Sequence, residues 1–71
     1  MMTFEKLTAW KKAHDLALMV YKNTLYFPKD EIYGLTSQLR RASLSVPTNI
    51  VEGRARGSTV DFIRFLKIAR G

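Results

Sequence analysis

Five polar residues in the middle of the chain recur at the spacing of one helix face. Arg41, Ser45, Asn49, Glu52 and Arg56 follow one another at intervals of four, four, three and four residues, so a helix would place them in a single stripe. Two kinds of chemistry fit this stripe. Its members can hydrogen-bond to one another and fix the register of packed helices, because partly buried charges need partners. Alternatively, the two arginines contact a ligand or nucleic acid.

No set of residues suitable for acid–base or nucleophilic catalysis can be assembled from this sequence. His14 is the single histidine, and Ser43, Ser45 and Ser58 have no plausible base beyond this distant residue. The absence of cysteine removes disulfides and thiolate metal ligands. His14 borders the apolar side of the first predicted helix and is interpreted as a packing residue. The expectation is a non-enzymatic protein with no metal and no other cofactor.

A strong excess of positive charge points to anionic partners. Twelve lysines and arginines outnumber six aspartates and glutamates, which gives a formal charge of +6. RNA, DNA or an acidic protein surface would suit this charge, whereas the alternative is a lysine-rich face that only provides solubility. In the nucleic-acid interpretation, cationic side chains contact phosphates without reading bases. The candidate contacts are Arg40, Arg41, Arg54, Arg56, Arg64 and Lys67.

Three helices would position these residues, since no segment alternates with the period of a strand. Apolar residues spaced by three and four predict a first helix over residues 7–26, ended by Pro28. They predict a second helix over about residues 30–54, which starts between Asp30 and Thr36 with Asp30 as the candidate N-cap. Pro47 falls inside the second repeat, which stays in phase across it. A kinked but continuous helix is therefore predicted there.

The third helix is predicted over residues 58–70, because Ser58 and Asp61 have the spacing of a capping box. The segment before it, residues 53–57, holds two glycines and two arginines and is the clearest loop. It lacks the GxxxxGK[ST] pattern of a phosphate-binding loop. Together these elements predict an all-α protein, an antiparallel up-down helical bundle in a single domain over residues 1–71.

Assembly is expected to supply part of the stability of so short a chain. A domain of 71 residues is marginal without disulfides, a metal or oligomerisation. Leu44 and Val51, seven residues apart, lie away from the buried repeat of helix two and are the predicted interface of a homo-oligomer; the alternative is scattered surface apolar residues. With no membrane-length apolar run and no signal-peptide pattern, a cytoplasmic protein without a membrane partner is expected.

Four ordered segments carry a resemblance that covers nearly the whole chain. They are LTAWKKA from Leu7, FPKDE and then GLTSQLRRA from Phe27, SVPTNIVEG from Ser45, and FIRFLKIARG from Phe62. The last two are similar to the patterns S-I-P-x-N-I-A-E-G and F-x-x-F-L-x-I-A-x-G. In these segments the chain resembles the bacterial four-helix-bundle family of proteins encoded in 23S rRNA intervening sequences. That family is related to the accessory variability determinant of diversity-generating retroelements.

The resemblance implies an antiparallel bundle that assembles as a ring-like homopentamer and has no enzymatic activity. For the retroelement relative, it implies binding of nucleic acid and of a reverse transcriptase through basic surfaces. Family members continue beyond the position of Gly71, so this sequence is expected to hold three of the four helices and to lack the C-terminal part. The resulting prediction is a non-enzymatic oligomeric bundle that associates with RNA or another nucleic acid. The alternative is a protein–protein interaction scaffold.

Overall fold

The computed structural model describes residues 2–71, apart from the side chain of Ala55. It confirms the predicted all-α class, because the described residues form helices and turns and contain no strand. The α-helices are α1 (Phe4–Thr24), α2 (Leu35–Val51) and α3 (Ala55–Arg70).

The first helix begins and ends earlier than the apolar repeat predicts. The hydroxyl oxygen of Thr3 accepts a hydrogen bond from the backbone N–H of Lys6 at 3.1 Å, so this N-cap starts α1 at Phe4 rather than at residue 7. After Thr24 the backbone tightens into i→i−3 hydrogen bonds, ending with the Phe27 N–H bonded to the Thr24 carbonyl. Pro28 has no N–H to continue the helix, and the chain turns there.

The predicted N-cap of the second helix is wrong, although its start at Leu35 lies within the predicted interval from Asp30 to Thr36. Asp30 is not the N-cap, because residues 29–31 close a short 3₁₀ turn. The backbone N–H of Glu31 donates a hydrogen bond to the Pro28 carbonyl at 3.0 Å, and the backbone N–H of Gly34 donates to the Glu31 carbonyl at 3.1 Å. The α2 helix begins only at Leu35, after these local bonds have satisfied the backbone donors.

The second helix runs without interruption through Pro47, which is buried. Proline in a helix interior removes the bond to the carbonyl four residues earlier, here that of Ser43, and costs about 3 kcal/mol in isolation. Burial of the ring among the packed helices offsets part of this cost. The predicted kink at Pro47 stays a prediction.

The second helix ends at Val51 instead of residue 54, because Gly53 adopts a φ of +75° that reverses the chain.

The third helix begins three residues before its predicted start. Arg54 occupies the N-cap position, and its N–H bonds to the Asn49 carbonyl at 2.7 Å. The connection therefore needs only residues 52–54, and the rest of the predicted loop is helical. Ser58 is not an N-cap but a buried residue in the first turns of α3.

The α2 helix is the centre of the fold. It packs against both α1 and α3, whereas no Cα of α1 lies within 8 Å of a Cα of α3 in the described part of the chain. The three helices run up, down and up within dimensions of 41 × 20 × 18 Å. An open cavity of about 290 Å³ separates the late turns of α1 and α3, and the core lies beneath it. The core side chains are Val20, Leu39, Ala42, Val46 and Phe62.

One buried hydroxyl gives a stability prediction. Thr36 is buried, and its Oγ1 has no hydrogen-bond partner among the described residues. Because an unsatisfied buried hydroxyl costs free energy, Thr36→Val is expected to raise the free energy of unfolding by about 1 kcal/mol and the Tm by about 4–8 °C. Thermal unfolding followed by circular dichroism measures this shift.

The matched control is Thr48→Val. Thr48 is exposed, and its hydroxyl already donates to the Leu44 carbonyl at 3.0 Å. This substitution removes a satisfied group and is expected to leave the Tm unchanged or slightly lower. A loss of stability in Thr36→Val would contradict the burial argument.

Candidate nucleic-acid interface

Four exposed cationic side chains lie along one side of α3. Since successive residues of a helix are about 100° apart, Arg56, Arg64 and Lys67 fall about 120–160° from the buried Phe62. Arg70 falls about 80° from Phe62, beside the cavity towards α1. They extend over about 21 Å of helix at about 1.5 Å per residue. We call these four residues the α3 basic face.

Most of the charge on the α3 basic face is uncompensated. Arg64 pairs with Asp61 at 3.6 Å, and its guanidinium carbon lies 5.1 Å from the centroid of the Phe65 ring. Arg56, Lys67 and Arg70 have no carboxylate partner within the described part of the chain. An exposed pair such as the one made by Arg64 contributes little stability, so that arginine can exchange Asp61 for a phosphate.

Arg70 is the member of this face that the sequence prediction missed. It follows Lys67 by three residues and Arg56 by fourteen, which is the helical spacing that would have identified it.

Arg54 does not belong to the α3 basic face and has a carboxylate beside it. Arg54 lies in the turn before α3, and its guanidinium forms an ion pair with the Glu52 carboxylate. Both side chains are largely exposed. Of the six predicted cations, Arg54 has the nearest compensating charge, so it contributes least to an attractive potential.

The two remaining predicted cations lie on α2. Arg41 is exposed and has no carboxylate partner among residues 2–71. It borders two depressions: one reaches across to Asp61 and Phe65 of α3, and the other lies towards α1 and the 3₁₀ turn. Arg40 is half-buried at the second depression, where it contacts α1. The structure therefore divides the predicted cations between two surfaces, with Arg41 between them.

The polar stripe does not form a hydrogen-bonded ladder in the described residues. The Ser45 hydroxyl donates to the Ala42 carbonyl at 2.6 Å, and Glu52 pairs with Arg54 instead of with another stripe residue. Asn49 is half-buried and Arg41 is exposed. Arg41 and Ser45 share the depression that reaches Asp61, so this end of the stripe faces α3.

The single histidine has a packing environment. The His14 ring stacks on Trp10 with centroids 5.0 Å apart and an interplanar angle of 19°. No group of three or more histidine, aspartate or glutamate side chains is arranged to hold a metal ion among the residues described. Within the same residues, no helix is both long and apolar enough to cross a membrane.

Apolar side chains are exposed on the side of the molecule formed by α1 and α2. Leu44 and Val51, the predicted interface, are 43% and 48% exposed, and helical spacing places them on one side of α2. Leu18 of α1 is also exposed, and Tyr21, one turn later, borders the same depression as Leu44. We call Leu18, Leu44 and Val51 the α1–α2 apolar face.

Comparison with known proteins identifies the family of this chain. The family of 23S rRNA-intervening sequence proteins matches residues 5–71. Neither a curated protein nor a solved structure matches this chain. The family match covers almost all of the helices described above, and on this ground the chain belongs to the 23S rRNA-intervening sequence protein family.

Proposed function

We propose that this chain is a non-enzymatic, homo-oligomeric helical-bundle protein that binds RNA or another nucleic acid through phosphate contacts. The observation that carries the proposal is the α3 basic face, in which three of four exposed cations have no carboxylate partner among the described residues. Phosphates of a nucleic acid would replace the missing anions, and release of their counterions would favour binding. Positioning on the backbone requires no base-specific contact.

Assembly is supported by the apolar surface that the fold leaves exposed. Leu18, Leu44 and Val51 are exposed on α1 and α2, and a second copy that covered them would remove their apolar surface from water. A second copy of this chain is the proposed occupant, and the pentamer implied by the family resemblance is the proposed state. Repetition of the α3 basic face around an oligomer would multiply weak phosphate contacts by avidity.

Salt dependence tests the nucleic-acid proposal. For three free cations of the α3 basic face, the logarithm of the binding constant for single-stranded RNA is expected to fall with the logarithm of salt concentration with a slope of about −2. Fluorescence anisotropy of a labelled RNA between low and physiological salt measures this slope. Absence of binding at low salt would overturn the proposal.

Charge reversal on α3 locates the contact. The double variant Lys67→Glu/Arg70→Glu is expected to weaken RNA binding at least about tenfold more than its control at about 0.1 M salt, because two phosphate contacts become repulsive. The control is Lys11→Glu/Lys12→Glu, which changes the net charge equally on exposed positions of α1. Equal weakening by the two variants would show that net charge, not this face, determines binding.

The second candidate function is an interaction scaffold with no nucleic-acid role. The exposed Val60 and Ile63 favour it, because these two apolar side chains lie among the cations of α3. A stable oligomer that purifies without nucleic acid, has a low ratio of absorbance at 260 to 280 nm, and fails to bind RNA at low salt would support the scaffold instead.

A further inference from the structure

The depression between the end of α1, the 3₁₀ turn and the start of α2 has the chemistry of a nucleotide site. Its volume is about 410 Å³, within the range of about 300–1,000 Å³ that is common for small-ligand sites. Two arginines and two tyrosines line it together with apolar side chains, and no carboxylate is among the lining residues. The residues used below are Tyr21, Tyr33, Arg40 and Arg41.

Arg40 is held in place by neutral groups. Its Nε donates a hydrogen bond to the Oγ1 of Thr24 at 2.7 Å, and its guanidinium carbon lies 5.0 Å from the centroid of the Tyr21 ring. Thr24 is buried and donates in turn to the Val20 carbonyl at 2.8 Å. This arrangement fixes the guanidinium before any ligand arrives, which reduces the ordering cost of binding.

The charge of Arg40 is nevertheless not compensated. The described residues place no carboxylate in an ion pair with Arg40 or with the adjacent Arg41. A charge that is removed from water without a partner costs free energy, and the terminal amino groups of a guanidinium are suited to phosphate oxygens. Two neighbouring arginines without carboxylates therefore form a site for an anion.

Tyr33 adds a second kind of contact. It is 96% exposed and borders the same depression, so its ring contributes almost nothing to the core. An exposed aromatic ring beside a cationic site is the arrangement on which bases of single-stranded nucleic acids stack. In a duplex the base faces are covered by neighbouring bases, so a duplex cannot use this ring in the same way.

We propose that this depression binds one nucleotide of single-stranded RNA or DNA, with the phosphate on Arg40 and Arg41 and the base on Tyr33. The proposal rests on the proposed nucleic-acid function and adds strand specificity to it. Leu44 of the α1–α2 apolar face also lines the depression, so the proposal requires that the subunit contact leave the side of the two arginines and Tyr33 open. Thr24 is a positioning residue, because it does not line the depression and acts through its hydrogen bond to Arg40. Tyr21 packs against the guanidinium of Arg40 and also lines the depression.

The test measures binding of a short labelled oligouridylate to the full chain by fluorescence anisotropy at several salt concentrations. Tyr33→Ala is expected to weaken binding about tenfold without changing the salt slope, whereas Tyr33→Phe retains binding within about twofold, since the stacking face remains. Arg41→Ala is expected to reduce the salt slope by about 0.7, because one phosphate contact is lost. An unlabelled RNA duplex is expected to compete less well than an unlabelled oligouridylate of the same phosphate concentration, because the duplex can use the phosphate contacts but not the ring of Tyr33.

The matched control is Tyr26→Ala. Tyr26 is 88% exposed and does not line the depression, so its removal is expected to leave binding unchanged. Equal effects of Tyr26→Ala and Tyr33→Ala, with the wild type still bound, would overturn the nucleotide site and leave the α3 proposal intact. Absence of wild-type binding at low salt would overturn both. A fall in oligomeric mass of Tyr33→Ala would assign the depression to a subunit contact and overturn the site.

Discussion

Replacing Leu39 with alanine is expected to lower the free energy of unfolding by about 2–5 kcal/mol. Leu39 is 2% exposed and belongs to the core cluster with Val20 of α1 and Phe62 of α3. Removal of its side chain leaves a void in the core to which all three helices contribute side chains. Because no Cα of α1 lies within 8 Å of a Cα of α3 in the described chain, the void can be closed only by a shift of the helix backbones, and such relaxation is usually incomplete.

This loss is large relative to the total free energy of unfolding of the protein. At roughly 0.05–0.15 kcal/mol per residue, a chain of 71 residues has a total stability of roughly 4–11 kcal/mol. The Leu39→Ala protein is therefore expected to lose a large fraction of its stability and to unfold at a lower urea concentration than the wild type. Urea denaturation followed by circular dichroism measures the change, with several protein concentrations compared because assembly adds stability by mass action.

Leu25→Ala is the matched control for Leu39→Ala. It deletes the same atoms from a side chain that is 73% exposed just after α1, so a change within about 0.5 kcal/mol is expected. Similar losses in the two variants would contradict the assignment of the core to the central face of α2.

The helices could be predicted from apolar spacing, but their ends could not. The repeat of three and four residues identifies each helix, because only one face of each is buried. The ends depend on single backbone groups that the repeat does not report. Thr3 caps α1, the 3₁₀ turn delays α2 to Leu35, and the positive φ of Gly53 permits α3 to begin at residue 55.

The cationic residues of the candidate site could be predicted from the sequence, but their interaction partners could not. Positive charge and helical spacing identify the cations of α3, and the same spacing also includes Arg70. The partners of Arg40 are sixteen and nineteen residues away in the chain, at Thr24 and Tyr21. Only the packing of α1 on α2 brings them together. Glu52 likewise fits the polar stripe by spacing, but it pairs with the nearer Arg54 in the turn.

Substituting glutamate for both Leu44 and Val51 is expected to disperse the proposed homo-oligomer. These side chains are 43% and 48% exposed, so glutamates fit the surface of an isolated chain with little strain. In an assembled interface the same carboxylates would be buried without partners, which is costly. An increase in the dissociation constant of at least about a hundredfold is expected, equivalent to about 2.7 kcal/mol.

Sedimentation velocity measures this result against a chain mass of 8.2 kDa. The matched control is Val60→Glu/Ile68→Glu, which adds the same charge at exposed positions of α3, where the two side chains are 64% and 55% exposed. The wild type and this control are expected to sediment as the oligomer. Leu44→Glu/Val51→Glu is expected to sediment as the single chain and to retain its helical circular dichroism.

A wild type that sediments at 8.2 kDa would contradict assembly itself. Dispersal by the α3 variant instead would move the subunit contact from the α1–α2 apolar face to α3, and the α3 basic face could then not be free to bind nucleic acid.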